Sequence, residues 1–337
     1  MVARLMNFTL IVPRSIFFGW GSLDRVGEEL KELGGRKPLI ATTKGMVKRE
    51  GFLKLINLIK KEGLSAVVLS KVEPEPSIET VEKCLQMANE NRCDLIIGLG
   101  GGSAIDVAKK VAMDLDLPKI MIPTTAGTGS EVTHESVLKV EGEKRAFVDK
   151  RLTADVAIVD PSLMMTMPRR LIASSGIDAL AHAVESYECK KGNELTRALA
   201  QKAYSLIKDN IRKAIACDKD AISNMALASL AAGMAFGNSG TTLCHALTYP
   251  LSNKGIRHGE AVAIMLPPAL EFNDFDKETI LEIRKIIKDV DLPAKFEGDI
   301  REMATVVMKD KRHLANNPRK VTLEDVTLIY RKVIERV

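Results

Sequence analysis

The chain has 337 residues, of which 46% are hydrophobic and 28% are charged, and its formal net charge is +5. This composition is typical of a globular protein large enough for two domains. No apolar run reaches the roughly 18 residues that a membrane span needs, and the first residues lack the features of a signal peptide. Lys and Arg are interleaved with Asp and Glu, which argues against a nucleic-acid-binding stripe. We therefore expect a cytoplasmic protein without membrane or nucleic-acid partners.

The numbers of cysteines and glutamines bear on the compartment and the source of the protein. The five cysteines are an odd, scattered set, which favours free buried thiols in a reducing compartment. Glutamine occurs only at Gln86 and Gln201, whereas Lys, Glu and Arg are plentiful. This bias leans toward a thermophilic source.

The first half alternates short apolar runs with amphipathic stretches, the pattern of a doubly wound parallel sheet with a Rossmann-like fold. A β-hairpin, VLKVEGEKRAFVDKR, precedes the last apolar run of this half. The predicted strands are KPLIATT, SAVVLS, CDLIIGLG, KIMIPTT and DVAIVDP, and the predicted helices are MVKREGFLKLINLIKKEG, SIETVEKCLQMANEN and SAIDVAKKVAMD.

The pattern changes at Pro168, beyond which long stretches with helical periodicity continue to Val337. We expect helices from 169 to 188, 194 to 216 and 222 to 236. The sequence thus predicts an α/β domain over residues 1–162, followed by an all-α domain over residues 163–337.

Two glycine-rich loops follow predicted strands of the first domain. In the first, the strand CDLIIGLG continues directly into Gly101, Gly102 and Ser103 and then a helix. Such a turn lets backbone N–H groups and the helix N-terminus face an anion. It lacks the GxGxxG spacing, and Ser103 could instead only cap the helix. The second loop, PTTAGTGSEVT, ends the next strand, where ligands bind in open α/β sheets, although a plain flexible loop is the alternative.

Three of the five histidines and one aspartate form a candidate metal site in the second half. Asp178 and His182 are four residues apart, so they share one face of a helix. His245 follows a glycine-rich break in an apolar stretch, and His258 opens another apolar helix. Imidazole and carboxylate ligands suit divalent transition ions, of which iron and zinc are favoured. An Asp-x3-His pair alone is common, so the spacing by itself does not establish the site.

Segments spread over nearly the whole chain resemble the iron-containing (group III) alcohol dehydrogenase family, and they occur in the family's order. These segments are PRSIFFGWGSLDRVG, GLGGGSAIDVAK, PTTAGTGSEVT, DVAIVDPSL, SGIDALAHAVESY, GMAFGNSGTTLCHA, RHGEAVAIMLP and ANNPRKVTLEDV.

The resemblance implies an N-terminal nucleotide-binding domain, a C-terminal helical domain and an active site in the cleft between them. It implies hydride transfer between a nicotinamide cofactor and an alcohol or aldehyde, with Fe²⁺, or Zn²⁺ as the alternative, held by Asp178, His182, His245 and His258. Phe236 matches an aromatic residue that lines the substrate pocket. The cofactor contacts that carry over are Gly101, Gly102, Ser103, Asp106, Thr124, Thr125, Thr128, Lys144 and Leu163.

The chain departs from the family at several positions. It is shorter, mainly among the C-terminal helices. Tyr249 replaces a histidine that is a candidate proton relay, and its phenol either relays the proton or only packs while water does so. Glu75 stands where the family favours asparagine, and Arg257 stands where proline is usual before His258.

Cofactor and substrate preferences follow from two further positions. Thr43, with Lys44 after it, occupies a place where the family often has an aspartate that holds the ribose hydroxyls. A neutral side chain there tolerates a 2′-phosphate, so we expect NADP(H) to be preferred over NAD(H). Arg257 could favour an acid-bearing aldehyde if its loop faces the cleft, whereas a solvent-facing loop leaves simple alcohols and aldehydes as substrates.

Other functions remain open at this stage. A glycerol or glycerol-phosphate dehydrogenase shares the fold and the metal, and a lyase of the dehydroquinate synthase type is a more distant alternative. A metal- or nucleotide-binding protein without catalysis belongs to a different class. We expect the chain to act on a small alcohol or aldehyde and to form a homodimer.

Overall fold

The computed structural model describes residues 7–292 and 296–335. Residues 1–6, where the segment inspected for a signal peptide and the first predicted domain begin, lie outside the described residues. Residues 293–295 and 336–337 of the second predicted domain also lie outside them. Within the described ranges, no helix is long and apolar enough to cross a membrane.

Parallel strands and helices alternate through the first half, as predicted, because its apolar runs are buried on both faces of a sheet. Every residue of the four interior strands, Pro38–Ala41, Leu95–Gly100, Lys119–Pro123 and Val156–Val159, is buried. The strands are β1 Ser15–Phe18, β2 Pro38–Ala41, β3 Val67–Leu69, β4 Leu95–Gly100, β5 Lys119–Pro123, β6 Glu135–Val140, β7 Glu143–Val148 and β8 Val156–Val159. The helices are α1 Val26–Glu32, α2 Glu50–Lys61, α3 Ile78–Glu90 and α4 Gly102–Leu115.

The six strands of the main sheet pair in parallel in the order β1-β8-β5-β4-β2-β3. The chain reverses its direction across the sheet between β2 and β4, and ligands bind beyond the carboxyl ends of strands at such a point. Thr42 links these two ends, because its hydroxyl donates to the Leu99 carbonyl at 2.7 Å. The predicted hairpin is confirmed as the antiparallel pair β6 and β7.

Helices fill the second half, and their bounds agree closely with the predicted ones. They are α5 Arg169–Glu188, α6 Glu194–Ile215, α7 Lys219–Ser239, α8 Leu243–Asn253, α9 His258–Phe272, α10 Lys277–Asp289, α11 Ile300–Lys309, α12 Lys311–Asn316 and α13 Leu323–Glu335. The last sheet strand ends at Val159 and α5 begins at Arg169. The predicted boundary between residues 162 and 163 lies between these two elements. The five cysteines are free as expected, but only Cys84, Cys189 and Cys244 are buried, whereas Cys93 is half-buried and Cys217 is exposed.

The loop after β5 joins the two halves by packing into the helices. Gly129 has a φ of +57°, and an added Cβ there would lie 2.5 Å from the Cα of Gly233 in α7. A Cβ at Gly233 would lie 2.8 Å from Gly129. The two backbones thus touch at a point where no larger residue fits on either side.

This contact predicts that Gly233→Ala destabilises the protein although alanine favours helices more than glycine does. We expect a loss of about 1 to 3 kcal/mol in the free energy of unfolding, because the added methyl group forces the loop away from α7. Urea denaturation followed by circular dichroism measures the loss. Ser223→Ala, at a half-buried position of the same helix, is the control and should retain full stability. Unchanged stability in Gly233→Ala would contradict the close approach.

Candidate active site

Three buried helices bring the predicted metal ligands together. Asp178 and His182 lie one turn apart on α5, His245 lies in the first turn of α8, and His258 is the first residue of α9. Asp178, His182 and His245 are between 4% and 7% exposed. A charged carboxylate and imidazoles occupy so dry a place only when they have partners.

The imidazole nitrogens converge on one carboxylate oxygen. The Nε2 atoms of His182 and His245 each lie 3.8 Å from Asp178 Oδ1, and that of His258 lies 3.2 Å from it. Asp178 Oδ1 and His245 Nε2 are buried and have no hydrogen-bond partner among the described residues. Ligand atoms about 2.1 Å from a tetrahedral ion are about 3.4 Å apart. The spacing and the unpartnered atoms therefore fit a divalent ion held among these four side chains.

Glu185, which the sequence analysis missed, holds His245 in place. Its carboxylate accepts from His245 Nδ1 and, at 2.8 Å, from the Thr242 hydroxyl. It also accepts from the backbone N–H of Thr242 at 3.1 Å. A carboxylate on Nδ1 leaves Nε2 as the free ligand atom, the usual support for a metal-binding histidine. The available signal was the spacing, since Glu185 lies two helical turns beyond Asp178 on the same face of α5.

His182 is oriented by groups from two other elements. Its Nδ1 lies 3.3 Å from the carbonyl oxygen of Gly127 in the loop after β5, so its Nε2 faces Asp178. Its ring stacks on that of Phe236, with centroids 4.0 Å apart. The loop of the first half therefore touches a candidate ligand of the second half directly.

The charges of the cluster favour a cation at its centre. Burial opposes the charge of Asp178, but His182 and His258 outweigh it and hold the pKa of this carboxyl well below its usual range. Burial lowers the pKa of His182 to about 4, so its imidazole is neutral at physiological pH. Burial acts in the same direction on His245, but the Glu185 carboxylate outweighs it and raises the pKa of His245 to about 10.

A cavity extends from this cluster to the first glycine-rich loop. Its lining includes eleven of the predicted site residues. They are Gly102, Ser103, Asp106, Thr128, Lys144, Asp178, His182, Phe236, His245, Tyr249 and His258.

The first glycine-rich loop forms a close-fitting turn at the start of α4. An added Cβ at Gly102 would lie 2.9 Å from the Thr128 side chain, and one at Gly101 would lie 3.2 Å from that of Thr125. The cap position is Gly101, without a side-chain cap, so Ser103 is not the N-cap that the sequence left open. The N-terminus of α4 consequently presents backbone N–H groups to the cavity.

Two predicted cofactor residues are already engaged by protein groups. Asp106 accepts from the Ser130 hydroxyl at 2.5 Å and from the Val137 N–H at 3.1 Å, which ties α4 to the loop and to β6. Lys144 forms an ion pair with Glu75 at 2.5 Å. Glu75 is the residue that departs from the family's asparagine, and its position beside Lys144 places that departure inside the cavity.

The remaining predicted residues do not line this cavity within the described ranges. Thr43 follows β2, where its hydroxyl accepts from the Met46 N–H at 3.2 Å, and Leu163 is buried in the core of the first half. Arg257 is exposed. Its exposure agrees with the second alternative for its loop, in which the loop faces solvent. The full set outside the lining is Thr43, Gly101, Thr124, Thr125, Leu163 and Arg257.

Tyr249 lines the cavity beside a histidine that the sequence analysis did not single out. Its ring lies 5.8 Å from that of His313, which is 8% exposed and also lines the cavity. Burial, with the carboxylate of Asp310 adding to it, raises the pKa of Tyr249. These protein groups therefore keep the phenol protonated.

Comparison with known proteins identifies the family. The model of iron-containing alcohol dehydrogenases matches residues 13–161, and that of the Fe-containing alcohol dehydrogenase family, C-terminal, matches residues 172–283. Long-chain-alcohol dehydrogenase 1 of Geobacillus thermodenitrificans (strain NG80-2) is 35% identical over 95% of each chain. NADPH-dependent butanol dehydrogenase of Clostridium saccharobutylicum is 35% identical over 91% of this chain and 83% of its own.

A solved structure shows the same architecture. The iron-containing alcohol dehydrogenase of Thermotoga maritima superimposes with a TM-score of 0.90 at 34% identity, covering 98% of this chain and 100% of its own. The predicted fold class, a parallel α/β domain followed by a helical domain, is thereby confirmed. This chain belongs to the iron-containing alcohol dehydrogenase family and is an NAD(P)-dependent oxidoreductase of alcohols and aldehydes.

Proposed function

We propose that Asp178, His182, His245 and His258 hold one divalent ion, Fe²⁺ with Zn²⁺ as the alternative, at the substrate end of the cavity. The observation that carries the proposal is the pair of buried, unpartnered ligand atoms, Asp178 Oδ1 and His245 Nε2, with the other imidazoles beside them. Burial of the Asp178 carboxylate without a partner costs several kcal/mol of folding free energy, and a bound cation removes that cost. Three imidazoles and one carboxylate suit iron and zinc, and binding of the ion displaces the proton from His245 Nε2.

The protein groups around the ion hold the substrate oxygen and its proton. When bound, the ion supplies a Lewis acid to an alcohol or aldehyde oxygen. Glu185 fixes the direction of His245, and the Gly127 carbonyl fixes that of His182. Tyr249, buried and protonated, can donate a hydrogen bond toward the substrate oxygen, while a water molecule in the same cavity is the alternative relay.

The cofactor end is assigned to the turn at the start of α4. Gly101, Gly102 and Ser103 offer backbone N–H groups to the diphosphate, and Thr128 packs against Gly102. Lys144, paired with Glu75, lies along the same cavity. Asp106 supports this turn through Ser130. Thr124, Thr125 and Leu163 complete the contacts that the family pattern implies.

We infer a preference for NADP(H) from Thr43, which follows β2 at the point where the sheet reverses direction. No carboxylate occupies this position to repel a 2′-phosphate, and Lys44 follows it. The similar protein of Clostridium saccharobutylicum is named for its dependence on NADPH.

We propose three further properties, which concern the compartment, the source and the assembly. The free thiols favour the cytoplasm, and the scarcity of glutamine favours a thermophilic source. A homodimer is the expected assembly, and light scattering after size exclusion tests it.

His245→Ala should lose the metal, because it removes one of four ligands and leaves Glu185 without the imidazole that it holds. We expect a metal content close to one ion per chain in the wild type and a small fraction of that in the variant, measured by elemental analysis after iron reconstitution. His134→Ala, which removes a histidine outside the cluster, is the control and should keep the wild-type content. An unchanged content in His245→Ala would refute the ligand assignment.

Thr43→Asp should shift cofactor selectivity toward NADH by about tenfold or more, because the new carboxylate repels the 2′-phosphate of NADPH. The ratio of kcat/KM for the two cofactors measures the shift. Thr43→Ser should keep the wild-type ratio, since it adds no charge. A wild-type enzyme that uses NADH as well as or better than NADPH would contradict the preference.

A further inference from the structure

Five phenyl, imidazole and phenol rings, which we call the row of rings, lie one after another along the cavity between an apolar end and a polar end. Phe236 stacks on His182 at 4.0 Å between centroids, and His182 stacks on His245 at 4.7 Å. On its other side, His245 faces the ring of His313 at 6.2 Å, and His313 lies 5.8 Å from Tyr249. The proposed metal ligands therefore sit between a phenyl ring and a set of polar side chains.

One ion pair and one pair of side chains joined through a histidine nitrogen build the polar side. Arg312 is paired with Glu135, the first residue of β6, and both line the cavity. His313 Nδ1 lies 2.5 Å from Asp310 Oδ2, which leaves Nε2 as the ring's other polar atom. Within the described ranges, Glu135 is the only carboxylate paired with Arg312, and only Nη2 of the guanidinium takes part. Since a guanidinium carries five N–H donors, others remain for a ligand.

The polar side carries little uncompensated charge. Arg312 is balanced by Glu135, and Asp310 holds the histidine. Thr241, 7% exposed, adds a hydroxyl to the lining. Arg257, the positive charge considered from the sequence, is exposed and lies outside the cavity lining of the described residues. Paired charges and hydroxyls bind a neutral hydroxyl group better than a carboxylate, which needs an unpaired cation.

We propose that Thr241, Arg312 and His313, which we call the polar end, bind a second, uncharged oxygen of the substrate. The protein accordingly prefers hydroxyaldehydes and diols to alkyl aldehydes and alcohols of the same size. This rests on the proposed function, since it assumes that the reacting oxygen lies at the Asp178 cluster. An alkyl chain at the polar end leaves the Thr241 hydroxyl and the His313 imidazole, both on buried side chains, without partners. A site of this kind rejects the analogue that lacks the hydroxyl.

The test compares 3-hydroxypropanal with butanal, which have the same number of non-hydrogen atoms. With iron-loaded enzyme and NADPH or NADH, we expect kcat/KM to be about tenfold or more higher for 3-hydroxypropanal, the value of one hydrogen bond to a charged group. The anion 3-oxopropanoate should be a poorer substrate than 3-hydroxypropanal. Oxidation of 1,3-propanediol and 1-butanol should show the same preference.

Two variants locate the preference. Arg312→Met and the nearly isosteric Thr241→Val should each lower the ratio of kcat/KM for 3-hydroxypropanal to that for butanal severalfold. Thr241→Val keeps the test informative if Arg312→Met does not fold. Arg301→Met, an exposed arginine of α11, is the control and should keep the wild-type ratio. Iron content is measured for each variant, so that metal loss is separated from selectivity.

Several results would overturn the inference. Equal kcat/KM for 3-hydroxypropanal and butanal in the wild type would do so, as would a ratio that survives both polar-end variants. A ratio lost only in Arg257→Met, or a preference for 3-oxopropanoate, would place substrate recognition at the surface loop instead. Reduction of none of these aldehydes by iron- or zinc-loaded protein would count against the proposed function itself.

Discussion

The structure depends on one buried charge, the carboxylate of Asp178. It lies in the middle of α5 and is 4% exposed, so water cannot compensate it. Imidazole nitrogens from α5, α8 and α9 lie 3.2 to 3.8 Å from its Oδ1. These three helices must therefore converge at this point, and the cavity, the row of rings and the support from Glu185 are all arranged around it.

The same cluster connects the two halves of the chain. His182 is held by the Gly127 carbonyl of the loop after β5, and that loop also packs against α7 through Gly129 and Gly233. The turn that starts α4 packs against the same loop at Thr128. A change in the loop is consequently felt at both the proposed metal ligands and the proposed diphosphate turn. The loop thus fixes the position of the proposed metal ligands relative to the proposed diphosphate turn.

Local patterns in the sequence predicted most of the fold. Buried strands appear as continuous apolar runs in the sequence. The spacing of Asp178 and His182 places them on one helical face. The strands and this pair could therefore be predicted from local sequence alone. Strand β1 and helix α1 were missed because the short SIFF run has no alternation and pairs with β8, far along the chain. Glu185 and Arg312 were missed because their partners, His245 and Glu135, come from other elements. His313 was missed because only tertiary packing brings its helix to the cavity. The predicted cofactor residue Leu163 is buried among apolar side chains, a placement that only tertiary packing reveals.

The central claim is that Asp178, His182, His245 and His258 together hold one divalent ion. The most direct measurement is a crystal structure of the iron-loaded protein with anomalous diffraction recorded on both sides of the iron absorption edge. The account predicts one iron peak in the cavity, about 2.0 to 2.2 Å from a carboxylate oxygen of Asp178 and from Nε2 of each histidine. Stoichiometric iron bound at another place, or a peak that two or more of these side chains do not contact, would contradict it.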